Sequence, residues 1–192
     1  MSQRGVGVLF ACFAIIFVHY AIRYSYGTLL PEMLPALSIT KAEAGMIYSS
    51  YFITYTALSP VLGMLSDRYD VRIILTLFVA LMGAGAFLMA VPTSQFQASI
   101  FFGVAGIGCS ACWAMYAACA SDFFSREAAG GIIGLWTVYL GIGLMLSPLL
   151  AGWIADATGT LMWSFLIAAA GGVASLLLLL PMLRIDFRTA AK

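Results

Sequence analysis

The chain has 192 residues, of which 63% are hydrophobic and 9% charged, with a formal net charge of +1, and its mean hydropathy is +1.03. A soluble core and its solvated surface do not average to that composition, so water is not the main solvent and a lipid bilayer is. The near-neutral balance also excludes nucleic acid as a partner.

A spanning helix needs roughly 20 apolar residues, and the few charges divide the chain into runs of that size. The first span, near 6–30, is interrupted only by Arg23. It is longer than the apolar region of a cleaved leader and lacks a small-residue cleavage site before Pro31, so it is expected to be retained. The second span is near 44–66. No charge occurs from Ile73 to Ser121, which leaves room for two spans, near 73–91 and 97–120. They reverse at the turn-forming residues Pro92, Thr93, Ser94, Gln95 and Gln97. The fifth and sixth spans lie near 130–155 and 160–183, and 184–192 begins a cytoplasmic linker or tail. The expected fold class is an all-α membrane protein with six transmembrane helices in a single bundle. Cys12, Cys109, Cys112 and Cys119 all fall inside spans and form no disulfide framework.

With the N-terminus in the cytoplasm, Arg4, Arg68, Arg72, Arg126, Arg184, Arg188 and Lys192 all face inward and only Lys41 faces out. The excess of inward basic residues places both termini in the cytoplasm. The expected location is a plasma membrane, of the bacterial inner-membrane type. Span two ends LSPVLGMLSD (58–67) and span five ends LSPLLAGWIAD (146–156). The two agree apart from one inserted residue, and the spans run in opposite directions. That is the signature of two inverted three-helix repeats, about 6–91 and 97–183. Pro60 and Pro148 each free a backbone carbonyl and create a point at which a helix can bend.

Six spans with both ends inside and a charged turn after the second resemble the N-terminal half of a major facilitator superfamily transporter. Gly63, Leu65, Asp67, Arg68, Tyr69 and Arg72 match the family's turn pattern. Asp70 stands where the family has Gly, and Val71 where it has its first basic residue. Gly143, Ser147, Pro148, Ala151 and Gly152 match the span-five packing pattern, with small residues in place of two glycines. In span four Gly106 and Gly108 are present, but Phe102 stands where the family has arginine. The resemblance implies a conformational lock. Asp67 would sit against a helix N-terminus of the opposite half, with Gly63 and Arg68 in the same turn, and Arg72 would pair with Asp122. The alternative is that these are solvated charges that only set topology.

Arg23 is the only basic residue inside a span, and an intramembrane guanidinium normally faces a cavity or a partner. His19 lies four residues earlier on the same stripe, with Tyr26 close by. A cation, an imidazole and a phenol converging in the membrane suit an anionic substrate, most simply a carboxylate. The alternative has Arg23 snorkelling to the headgroups or pairing with Glu32. Tyr51 and Tyr55, in a stripe with Tyr48, are further candidates, as are Trp113, Tyr116 and Tyr139, because tyrosine hydroxyls at depth need partners. No carboxylate lies in mid-span to carry a coupled proton. Gly106, Gly108 and Ala111 fit a dinucleotide pattern but follow no strand, and Cys109, Cys112 and Cys119 are better read as small packing residues than as a metal site. No cofactor or metal is expected.

Enzyme motifs such as H-E-x-x-H or G-x-S-x-G are absent. The expected function is secondary transport of a small solute, an organic anion, by alternating access as half of a transporter. The second six-helix half would be in cis, in trans or a second copy. The competing reading is a non-transporting membrane scaffold or inactive fragment.

Overall fold

The computed structural model describes residues 3–66, 68–112, 116, 126–160 and 162–183. Its ordered elements are helices α1 (Gln3–Leu37), α2 (Lys41–Ser66), α3 (Val71–Leu88), α4 (Gln95–Ser110), α5 (Arg126–Thr158) and α6 (Met162–Leu183). Each covers one predicted run. The fourth run was expected to reach 120, and most of its later part lies outside the described residues.

Helix α1 departs from expectation by continuing seven residues past position 30, through Pro31 and Pro35. Proline normally clashes with the carbonyl four residues back, and opposite Pro31 that residue is Gly27. Beyond it, Met33 is buried and Leu37 packs against the core, so the apolar stripe begun by Leu29 carries the helix on. The helix then stops in a Schellman turn. Ser38 takes φ 54°, with Ser38 N–H donating to the Pro35 carbonyl (3.2 Å) and Ile39 N–H to the Leu34 carbonyl (3.0 Å). Two residues on, Thr40 and Glu43 form a capping box. The Thr40 N–H donates to Glu43 Oε2 (2.7 Å), and the Glu43 N–H donates to Thr40 Oγ1 (3.3 Å). At the second turn Asp70, where the family pattern has Gly, takes the N-cap position of α3, and its carbonyl accepts from Ile73 and Ile74.

Helix α2 packs chiefly on α4 and α1 on α5, α3 packs about equally on α4 and α6, and α1 also packs on α6. Exchanging α1 with α4, α2 with α5 and α3 with α6 turns this set of pairings into itself. The bundle leaves large apolar side chains outside, with Leu149 and Trp153 on α5 70% and 69% exposed. Contiguous apolar exposure on that scale needs an apolar surrounding or a partner. Gly130–Thr158 and Met162–Leu180 are long and apolar enough to cross a bilayer by length and composition alone.

Small residues set how closely the helices approach. A Cβ on Gly106 would overlap the Tyr51 backbone and Thr54 on α2, and one on Gly108 would overlap Met82 on α3. These glycines admit neighbouring backbones rather than a dinucleotide. Across the same α2–α4 seam, hydroxyls reach carbonyls: Ser50 Oγ to Ser99 (2.7 Å), Thr54 Oγ1 to Gly103 (2.9 Å) and Ser59 Oγ to Ser110 (3.4 Å). Such contacts hold helices together where the hydrophobic effect cannot act between them.

Candidate functional site

Arg23 lies fourteen residues before the end of α1, about 21 Å along the axis, deeper from the helix end than a span closing at residue 30 implies. It is half-buried. Its guanidinium carbon lies 4.7 Å from the Phe52 ring centroid, 5.3 Å from that of Tyr24 and 5.9 Å from that of Tyr51. Among the described residues the cation is held there by ring quadrupoles. Its Nε is buried with no hydrogen-bond partner, so the guanidinium retains donor capacity.

His19, one turn earlier, is fully buried. Its Nε2 shares a 3.3 Å hydrogen bond with the Tyr51 hydroxyl, while Nδ1 has no partner. The imidazole stacks on Tyr20 at 4.7 Å, and the Tyr51 ring stacks with Tyr55 at 6.0 Å. Behind them, the buried Cys109 thiol meets the Tyr51 hydroxyl. Four predicted residues, Arg23, His19, Tyr51 and Tyr55, thus form one cluster between α1 and α2. The helical four-residue spacing that joins His19 to Arg23 also joins Tyr51 to Tyr55.

The other candidates are placed elsewhere. Tyr26 donates to the Ala44 carbonyl at 2.7 Å, and its ring stacks on Phe102 and Tyr48, so its hydroxyl ties α1 to the start of α2. Tyr139 stacks on Phe13 at 3.7 Å. Tyr116 is buried against Trp136 at 5.9 Å. Trp113, Asp67 and Asp122 lie outside the described residues, as does the side chain of Arg72. Arg68 is exposed in the turn and Gly63 is half-buried. Phe52, which sequence reasoning passed over, makes the nearest ring contact to Arg23, and its position beside Tyr51 was the available signal.

The span-five residues line the seam with α1. A Cβ on Gly143 would come to 3.5 Å from Phe17 Cα, and one on Gly152 to 3.3 Å from Thr28 Cγ2. Between these approaches Ser147 and Ala151 are buried and Pro148 is half-buried. The Ala151 carbonyl accepts from Ser164 on α6 at 3.0 Å. Among the described residues no group of three or more His, Cys, Asp or Glu is arranged to hold a metal.

The chain has relatives among known proteins. It is 21% identical over 180 residues to Protein spinster homolog 1 of Xenopus laevis, across 93% of this chain and 34% of that protein. To a probable hexose phosphate transport protein of Chlamydia pneumoniae it is 22% identical over 154 residues, across 80% and 34%. The fold superposes with a TM-score of 0.80 and 15% identity on the crystal structure of a bacterial homolog of the human lysosomal transporter Spinster, inward-facing and unoccupied, covering 93% of this chain and 43% of that one. The chain therefore spans about a third of the length of these curated relatives and under half of that solved chain. The family profile described as Major Facilitator Superfamily matches residues 12–191, and the chain belongs to that family of membrane transporters.

Proposed function

We propose that this chain forms one half of a secondary transporter that moves a small organic anion across the membrane by alternating access. The observation that carries the reading is Arg23: a half-buried guanidinium among aromatic rings, with a buried Nε that has no partner, one helical turn from His19, whose Nδ1 also has none. A carboxylate or phosphate would complete its donors in a charge-assisted, bidentate geometry. Hexose phosphate, named for one relative, is an anion of that kind. Tyr51 and Tyr55 would border the anion.

The exchange symmetry of the helix pairings supports two inverted three-helix repeats, about 6–91 and 97–183. The second six-helix half would complete the site across the α1–α2 face. The charge distribution supports cytoplasmic termini. Asp67, Arg68 and Arg72, with Asp122, would form the lock that closes the cytoplasmic side.

Uptake by the chain co-expressed with the second half its relatives carry tests this. Arg23→Lys keeps the charge but loses the planar fork, so affinity should fall while some transport remains. Arg23→Gln should abolish most of it. Equal affinities in all three forms would reject the anion site, and no uptake by the parent pair would favour a non-transporting scaffold. In the same assay, Arg72→Ala and Asp122→Ala should each impair uptake about as much as both together, and additive losses would remove the lock.

A further inference from the structure

A cavity of about 260 Å³ lies between α1, α5 and α6, and none of the Arg23 cluster lines it. Its walls are built from small residues four apart: Ala21 and Ser25 on α1, Ser147 and Ala151 on α5, Ser164 and Ala168 on α6. Stripes of this kind ordinarily draw helices into contact. Here α1 and α5 approach closely at Gly143 and again at Gly152, and the stretch between them, which holds Pro148, encloses space instead.

One wall of that space is chemically incomplete. The Ser147 side chain is 3% exposed, and its Oγ is buried without a hydrogen-bond partner. Ser164 is already committed to the Ala151 carbonyl, so Ser25 and Ser147 remain as polar groups for an occupant. A buried water needs two to four polar partners, which this lining supplies poorly. None of the lining residues is charged, so an ionic headgroup would be left unpaired there. Two of the lining residues, Leu150 on α5 and Ile167 on α6, are 44% and 53% exposed, so the cavity is bordered by apolar side chains that reach the outer surface. An occupant thus enters from the bilayer side, carries no charge, and offers one hydrogen-bonding group on an otherwise apolar body.

We propose that this cavity binds a neutral, single-chain amphiphile with a hydroxyl headgroup, taken up laterally from the bilayer and anchored by its hydrogen bond to Ser147. The site is separate from the anion site and does not depend on it.

The experiment is photolabelling of the chain in phosphatidylcholine vesicles with diazirine-bearing dodecanol. Labels should fall on α1 near 17–25 and on α5 and α6 between 147 and 171. Unlabelled dodecanol should compete, and dodecane and free glycerol should not. Ala168→Phe, which fills the void, should abolish the site-specific label. Ser147→Ala leaves the void and should weaken dodecanol competition about 3- to 10-fold, the worth of one hydrogen bond. It decides the matter even if Ala168→Phe fails to insert. Labels spread evenly over Leu149, Trp153 and other exposed residues, competition by dodecane equal to that by dodecanol, or an unchanged Ser147→Ala would each overturn the proposal.

Discussion

Helix α2 meets α4 through hydroxyls that reach carbonyls across the seam, whereas α5 meets α1 through small residues, a cavity and a serine hydroxyl with no partner. The two seams hold equivalent places in the exchange of α1 with α4 and α2 with α5. One is pinned in register by directional bonds. The other is lined by small residues over the stretch that holds Pro148, and among the described residues its Ser147 hydroxyl makes no bond that bending would break. Equivalent positions in a repeat thus need not be equally stiff, and the stiffness is set by where the hydroxyls find carbonyls.

The sharpest way to break the comparison is to add one methyl group to each seam. Gly106→Ala drives a Cβ into the Tyr51 backbone and should cost about 1 to 3 kcal/mol or more. Gly143→Ala meets Phe17 at ordinary contact distance and should stay within about 1 kcal/mol, on the stabilising side, because alanine favours helix. Unfolding in detergent micelles measures both, and equal losses would show the seams to be equally tight. A smaller contrast comes from removing hydroxyls. Thr54→Val loses its bond to Gly103 and should cost about 0.6 to 1.5 kcal/mol, while Ser147→Ala, with no partner to lose, should be neutral or stabilising. The reverse order would contradict the assignment of polar bonding to α2–α4.

The smallest effect lies outside both seams, at the capping box. Hydrogen bonds from the Thr40 backbone N–H and hydroxyl hold the exposed Glu43 carboxyl below its ordinary range. A depressed carboxylate stabilises the fold at pH above the unfolded value, and that contribution is lost as pH falls through the folded value. The parent should therefore show a slight acid-side loss of stability that Glu43→Gln lacks. Titrated unfolding of the two forms checks this, and identical profiles would remove the carboxylate's role.

The six helices were legible because charge is so scarce that each uncharged run had to be one or two spans, and the polar stretch 92–97 marked the reversal. The end of α1 was not legible. Pro31 reads as a boundary until Gly27 is seen opposite it and Met33 and Leu37 continue the buried stripe. Arg23, His19, Tyr51 and Tyr55 came together because four-residue spacing survives folding intact. Tyr26 was drawn away by a carbonyl eighteen residues on, a partner that spacing cannot reveal. The orphaned hydroxyl of Ser147 was likewise invisible, since it depends on three helices failing to close around it.

The hydrogen bond from Tyr26 to Ala44 joins helices whose main partners differ, α1 lying with α5 and α2 with α4. Together with the short, doubly capped link at 38–40, it makes that end of the hairpin a fulcrum. Relative tilting of the two pairs is then smallest at the Tyr26 clip and grows with distance from it. Ser66 lies 22 residues beyond Ala44, at the far end of α2, so each degree of tilt moves it by about 0.6 Å for a lever about 33 Å long. The charged turn at 67–72 follows directly, at the tip of the lever, where a given rotation produces the largest separation of charges.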